Sequence, residues 1–365
     1  MSAGKTALKA AGVTLGVAAG LVGAGYAAKR AVVRGLHNRA DPDAELLASL
    51  LPLVREGVTE RRLTSYDSGS IYVVDAGSTQ GTPLVLAHGV TIDSRIWVKQ
   101  LATLPERGFR VIAFDSRGHG SSVVGDSGHS VENLAFDMRT VLEDLDLHDA
   151  ILVGHSMGGV AVQAFAAKQS DAARERVRGI VLLSSLAKTH LSTTRRLRNV
   201  IQGVSDRFDL GRIMANRSVG TMLARLGFGR DPLASHVELV RQMLTECPAD
   251  TSQEAVAVLF GMDLTPDLSN IDLPTLVIGG TLDALTPPAE ARRLARLIPG
   301  ARLEMIEGAG HTIMLEQAEE LEAVLVEFAQ ELGLRVGVEV GNGVGVGNGD
   351  AVRQDRTGTA DAAAL

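Results

Sequence analysis

At positions 154–159 the chain reads Gly154-His155-Ser156-Met157-Gly158-Gly159, which is a G-x-S-x-G pattern. The apolar residues 150–153 predict a buried strand before it, and residues 160–168 predict an alanine-rich helix after it. At such a turn a serine is held in a strained conformation, with its hydroxyl projecting above the sheet. We therefore predict that Ser156 is a nucleophile. The alternative is a turn that only packs a helix, since a chain with 40 glycines can produce the pattern by chance.

A serine nucleophile needs a base, and the base needs an acid that orients it. His311 follows a predicted strand at 301–307 and the flexible Gly308-Ala309-Gly310, so it lies where a strand-end loop is expected. Asp283 follows the apolar strand predicted at 274–278. The order Ser, Asp, His along the chain is the one that this architecture uses, so we predict Asp283 as the acid and His311 as the base. The competing residues are His190, His236, Asp263, Asp267 and Asp272.

An anion-stabilising site needs two backbone amides that point at the reacting carbonyl oxygen. The apolar strand predicted at 83–87 ends in His88-Gly89, and the glycine lets the chain turn so that the Val90 amide can act. The Met157 amide, in the first turn of the helix after Ser156, is the second donor. We predict structural roles for His88 and for the glycine-rich stretch 114–122, although Asp115 and His119 are alternative site residues.

Together these motifs resemble those of α/β-hydrolase-fold serine hydrolases, and they occur in that family's order. The resemblance covers residues 61–333 and implies a mostly parallel sheet with helices on both faces. Serine at position 156 departs from the aspartate of epoxide hydrolases and haloalkane dehalogenases. It implies hydrolysis of a carboxylic ester, which could be lipid-like. The alternatives are C–C bond hydrolysis, cofactor-free perhydrolysis, or a ligand-binding sensor with slow turnover.

The alternation of strands and helices is interrupted once, between residues 187 and 265. A hairpin at 61–76 starts the domain, and the interrupting segment is mostly helical in pattern. A capping box formed by Thr251 and Glu254 predicts a helix at 255–262. The resembled family carries a lid at this place. We therefore expect Phe260 and Met262 to contact the substrate, with core packing as the alternative for each.

Both ends of the chain fall outside the predicted catalytic domain. Residues 10–28 carry no charge and are flanked by basic residues, so residues 1–34 are predicted to form a membrane helix. Residues 35–60 are predicted to be a linker with a docking helix, and the glycine-rich residues 334–365 a disordered tail. The sequence thus predicts a membrane-associated, single-pass protein with a cytoplasmic catalytic domain. A cleaved signal peptide and a peripheral helix are the alternatives.

Composition limits the partners that the protein can have. The net charge is −7 and there is no basic patch, which argues against nucleic-acid binding. Cys247 is the single cysteine, and the sequence shows no cluster with the spacing of metal ligands. We expect no cofactor and no metal, and a small-molecule ester or lipid as the substrate.

Overall fold

The computed structural model describes residues 40–189 and 214–336. Its centre is an eight-stranded sheet with the strand order β1-β2-β4-β3-β5-β6-β7-β8. The strands are β1 (Val58–Thr64), β2 (Ser70–Ala76), β3 (Thr82–Ala87), β4 (Phe109–Phe114), β5 (Ala150–His155), β6 (Val177–Leu183), β7 (Thr275–Gly280) and β8 (Arg302–Ile306).

Most of this sheet is parallel, as predicted. The strand β2 pairs antiparallel with both β1 and β4, and the pairs from β4 to β8 are all parallel. Every residue of β4, β5 and β7 is buried, because helices cover both faces of a parallel sheet. The predicted α/β-hydrolase fold class is therefore confirmed, with the hairpin β1–β2 at one edge.

Helices connect the strands and cover the two faces of the sheet. Within the described residues they are α1 (Asp43–Leu50), α2 (Gln100–Thr103), α3 (Val131–Asp144), α4 (Met157–Lys168), α5 (Ser170–Arg176), α6 (Arg217–Ala224), α7 (Ala234–Glu246), α8 (Ala249–Gly261), α9 (Pro288–Leu297), α10 (Ile313–Glu316) and α11 (Ala318–Glu331). The alternation of side chains along β3 shows the layers: Leu84 and Leu86 belong to one core cluster, and Val85 belongs to the other.

Three described helices, α6 to α8, interrupt the strand–helix order between β6 and β7. The helix α8 begins at Ala249, directly after Pro248, and not after the predicted capping box. The predicted capping box does not form because the Thr251 hydroxyl instead donates a hydrogen bond to Gly118 O, in the loop after β4, at 3.1 Å. Residues 190–213 of the predicted helical segment lie outside the described residues.

The residues before β1 are attached to the inserted helices. Asp41 accepts hydrogen bonds from the Ser235 amide (2.6 Å) and the Ser235 hydroxyl (3.0 Å), in the first turn of α7. Asp43 contacts His236 Nε2 at 2.8 Å and forms an ion pair with Lys99. This segment therefore joins α7 to the loop that follows β3.

Residues 334–336, which follow the predicted end of the catalytic domain at 333, pack on the core. Leu334 N donates to Ala329 O at 3.0 Å, and Val336 is only 5% exposed because it packs on the core. The disordered tail predicted from residue 334 is thus wrong for 334–336, since the chain turns back after α11 and buries an apolar side chain there. Residues 337–365 lie outside the described residues.

The predicted single-pass membrane localisation is corrected. In the ranges 40–189 and 214–336, no helix combines the length and the apolar character needed to cross a bilayer. The uncharged run at 10–28, on which the prediction depended, lies outside these ranges.

Candidate active site

Ser156 occupies the turn between β5 and α4. Its backbone dihedrals are φ 52° and ψ −113°, which non-glycine residues rarely adopt and which cost on the order of 1–3 kcal/mol. The turn is compact because Gly158 passes against strand β3: a Cβ atom there would collide with the carbonyl oxygen of Ala87. Ser156 is only 8% exposed, so little of this residue is accessible to solvent.

Two backbone amides adjoin this serine. A Cβ atom on Gly89 would lie 3.2 Å from Ser156 Cβ, so the chain that leads into Val90 runs directly beside the elbow. Among the described residues, neither the Val90 amide nor the Met157 amide donates a hydrogen bond to another group. Met157 is the first residue of α4, where the helix dipole favours negative charge. Two backbone donors in the chain next to Ser156 thus have no hydrogen-bond partner within the described residues.

Asp283 and His311 form a buried pair at the ends of β7 and β8. His311 Nδ1 lies 2.9 Å from Asp283 Oδ2, which also accepts a hydrogen bond from the Thr286 hydroxyl at 2.6 Å. The other carboxylate oxygen accepts the amides of Leu285 and Thr286, both at 2.8 Å. The carboxylate therefore has a fixed orientation, and it holds the histidine in the tautomer with hydrogen on Nδ1.

The charge state of Asp283 follows from these contacts. Burial disfavours its ionised form, but the charge of His311 and the hydrogen bonds from His311 and Thr286 outweigh that penalty and lower the pKa of the carboxyl below its ordinary value. Asp283 is therefore ionised at neutral pH and able to stabilise a positive imidazole ring.

His311 is held next to the serine elbow by its backbone. His155 Nε2 donates to the carbonyl oxygen of His311 at 2.9 Å, and the two imidazole rings are 4.6 Å apart. On the other side, Glu316 accepts hydrogen bonds from the amides of Gly310 (3.1 Å) and Thr312 (3.2 Å), which flank His311. It also accepts the Gly229 amide at 2.6 Å, so the loop is tied to the inserted segment.

The structure brings the predicted triad residues to one edge of the sheet. The Ser156 hydroxyl and His311 make no mutual hydrogen bond within the described part of the chain. Catalytic hydrogen bonds are often long before substrate binds, so the lack of this contact does not exclude the predicted pairing.

The residues for which we predict structural roles are engaged in hydrogen bonds. His88 Nε2 accepts the Ser116 amide at 2.8 Å, so its Nδ1 carries the hydrogen that is donated to Gly89 O at 2.7 Å. Asp115 accepts the amides of Ser94 and Ser121, both at 2.8 Å. These contacts connect the loops after β3 and β4 beneath the Val90 turn.

The helix α8 supplies the apolar wall around Met157. Met157, Leu134, Ala161 and Ala255 form one buried cluster, and Leu259 packs against it together with Val90. Phe260 is half-buried one position further along, about 100° around the helix from Leu259. Met262 is 6% exposed and packs in the main core on the α4 side of the sheet. Of the α8 region, the structure thus places Ala255 and Leu259 beside Met157, and gives Met262 a core position.

Three residues with clear roles in the geometry were missed by the sequence reasoning. Thr286 lies three residues after Asp283, where an Asx-type turn is expected of an aspartate followed by Pro287. His155 belongs to the quoted motif, but its contact with His311 is long-range. Glu316 accepts the nearby amides of Gly310 and Thr312, but its contact with Gly229 is 87 residues away in the sequence.

A separate cavity of about 520 Å³ lies between α7 and the loop after β3. Asp93, Arg95, Asp115, Glu246 and Cys247 are among the residues that line it, and Ser156, Asp283 and His311 are not. Within the described residues, no group of three or more His, Cys, Asp or Glu side chains is arranged to hold a metal ion.

Comparison with known proteins agrees with this geometry. A sequence model of the α/β hydrolase fold matches residues 82–318. The chain is 31% identical over 259 residues to non-heme chloroperoxidase CPO-A1 of Kitasatospora aureofaciens, covering 69% of this chain and 92% of that protein. It is 27% identical over 279 residues to the bifunctional esterase/perhydrolase DCH of Acinetobacter calcoaceticus, covering 73% and 98% respectively.

A solved structure shows the same architecture. The esterase EaEST from Exiguobacterium antarcticum superposes with a TM-score of 0.66 at 22% identity, covering 74% of this chain and all of that one. At 22% identity, this structural similarity is evidence for the fold only. Together with the match over residues 82–318, the sheet and the serine elbow show that this chain is a hydrolase and belongs to the α/β-hydrolase-fold family.

Proposed function

We propose that the protein is a serine hydrolase that cleaves carboxylic esters through an acyl-enzyme on Ser156. The observation that supports this most is the His311 ring, fixed by Asp283 beside a strained serine and two unpaired amides. A hydroxyl becomes a useful nucleophile only when an oriented base removes its proton. A binding protein would have no need for this combination.

In the proposed reaction, Ser156 Oγ attacks the ester carbonyl while His311 Nε2 takes the hydroxyl proton. The amides of Val90 and Met157 stabilise the oxyanion, and Asp283 stabilises the positive imidazole. The C–O bond then breaks, and His311 returns the proton to the departing alcohol. Water attacks the acyl-enzyme with His311 again as base, which releases the carboxylic acid and restores the serine.

Labelling and substitution test this proposal. A fluorophosphonate should label the wild type and fail to label Ser156→Ala. Turnover of p-nitrophenyl acetate should fall on the order of 10³-fold or more in Ser156→Ala and His311→Ala, and the losses should not add, because the residues act as a unit. Asp283→Asn should also lower turnover, and Ser127→Ala, an exposed serine elsewhere, serves as the control. A Ser156→Ala protein with more than a few per cent of wild-type turnover would refute the nucleophile.

Perhydrolysis on the same serine is the second candidate, and the names of two relatives favour it. Hydrogen peroxide would replace water in attacking the acyl-enzyme, so that a carboxylic acid and hydrogen peroxide give a peracid and water. Wild-type enzyme with acetate and hydrogen peroxide should then form peracetic acid, measured by its oxidation of bromide. Peracid formation should vanish with Ser156→Ala. If it persists in that variant, a different site carries it.

A further inference from the structure

His129, in the loop before α3, carries a buried nitrogen with no partner. Its side chain is 4% exposed, and Nε2 makes no hydrogen bond. Glu254 Oε2 lies 3.8 Å away, which is beyond hydrogen-bond distance. The ring packs edge-on to His119 at 6.4 Å between centroids. None of these contacts gives Nε2 a hydrogen bond, and a buried polar atom without one destabilises the folded state.

The same side chain stands between the solvent and Met157. A slot too narrow for a water-sized sphere adjoins Met157, and an open groove of about 340 Å³ runs along the end of α8. The slot is lined by His129, Ser130, Leu134, Met157, Ala255 and Val258. Three of these residues, His129, Ser130 and Val258, also line the groove. The imidazole therefore borders both the groove and the slot beside Met157.

The loop holds this imidazole in place. Gly128 O accepts hydrogen bonds from Arg117 Nη1 (2.6 Å) and from Asn133 Nδ2 (2.9 Å), and Arg117 is itself fixed by the buried Asp137 at 2.7 Å. Burial lowers the pKa of His129 and the charge of Arg117 adds to that effect, while the carboxylates of Glu254 and Asp137 oppose it. The pKa stays below its ordinary value, so the ring is neutral at neutral pH. A neutral ring offers Nε2 as donor or acceptor according to its tautomer.

We infer that His129 is a specificity-determining residue whose Nε2 hydrogen-bonds a hydroxyl or oxo group of the substrate in the slot beside Met157. The inference rests on the ester hydrolysis proposed above and names the kind of ester. The apolar walls, Leu134, Ala255 and Val258, suit the short carbon chain between that oxygen and the ester carbonyl. The slot admits no water-sized sphere at its present width, so a substrate group enters it only when its walls move apart.

Matched ester pairs test the inference. Ethyl 4-oxopentanoate is compared with ethyl pentanoate, and ethyl 3-hydroxybutyrate with ethyl butyrate, by pH-stat titration. In His129→Phe the ratio of kcat/KM, polar over apolar, should fall on the order of five- to tenfold, which is the effect of one lost hydrogen bond. His129→Gln, which retains a hydrogen-bonding terminus, should restore part of the ratio. His148→Phe, whose ring is half-exposed on the far loop, is the control and should leave the ratio unchanged.

Both esters of a pair are measured on the same variant, so a loss of folded enzyme lowers both kcat/KM values equally and leaves their ratio unchanged. An unchanged ratio in His129→Phe, with all four esters hydrolysed, would overturn the inference and leave the proposed function intact. If neither His129→Phe nor His129→Leu folds, a wild-type preference for the apolar member of both pairs overturns it equally. Absence of Ser156-dependent turnover would instead remove the proposed function, and this inference with it.

Discussion

Glu316 acts on His311 through the backbone. Its carboxylate accepts the amides on both sides of the histidine and the Thr312 hydroxyl at 3.0 Å, so it sets the position of a ring that it does not touch. Burial raises the pKa of this carboxyl, although the amides of Gly229 and Gly310 and the two donors of Thr312 oppose the shift. Glu316 is therefore a positioning residue that acts through the backbone, whereas Asp283 contacts the His311 ring directly.

The change Glu316→Gln should lower kcat for ester hydrolysis about tenfold or more with little change in KM. The remaining oxygen can still accept the Gly310 and Thr312 amides, but the NH2 group that replaces the other oxygen cannot accept the Gly229 amide. The His311 loop then loses its tie to the inserted segment, and small displacements of a catalytic group are costly. Steady-state kinetics on a p-nitrophenyl ester series measures the split. Glu320→Gln, on the exposed face of α11, is the matched control. A purely structural residue would lower the melting temperature and leave kcat per active site unchanged.

At the scale of elements, the centre of the sheet could be predicted because the strands from β3 to β7 are short apolar runs. The site edge could be predicted because Ser156 and Asp283 each follow such a run and His311 follows the predicted strand at 301–307. The start of α8 could not, because Thr251 bonds to Gly118, 133 residues away. Which side of α8 faces Met157 was also beyond sequence reasoning, since Leu259 and Phe260 are equally apolar.

Shortening Leu259, and not Phe260, should change acyl-chain preference. Leu259→Ala removes three carbon atoms beside Met157 and Val90, so kcat/KM for longer acyl esters should rise several-fold relative to acetate. Phe260→Ala, on the adjacent face of α8, should leave the chain-length profile nearly as in the wild type. Kinetics across p-nitrophenyl esters from acetate to octanoate decides between them. A chain-length profile that shifts with Phe260→Ala alone would instead support the sequence-based prediction that Phe260 contacts the substrate.

At the scale of the whole molecule, several histidines are buried in neutral form, which ties stability to pH. Burial lowers the pKa of His119 to about 3, and it lowers the pKa of His155 and His236 as well. A group whose pKa is lower in the folded state binds its proton preferentially in the unfolded state. Each such histidine therefore contributes stability that is complete above the unfolded value, 6.5, and that is lost as pH falls towards the folded value.

Substituting His119 by asparagine should flatten this loss. Asn can keep the hydrogen bond that Nδ1 donates to Arg117 O at 3.0 Å, but it cannot take up a proton. Between pH 6.5 and pH 4, the free energy of unfolding should fall less steeply in His119→Asn than in the wild type, by up to about 1.4 kcal/mol per pH unit. Urea denaturation at four pH values measures it, with the half-exposed His148→Asn as control. Parallel curves for His119→Asn and wild type would contradict the assignment.

The attachment of Asp41 and Asp43 to α7 has a mechanical consequence. At Asp41 and Asp43 the chain is anchored to the first turn of an inserted helix, and not to the edge of the sheet. Tension applied at Asp41 would load the hydrogen bonds to Ser235 and His236 before any strand is strained. A fusion partner or surface attached directly before Asp41 would therefore pull on the helices of the insertion first, while tension applied at Val336 would pull on α11 and the core.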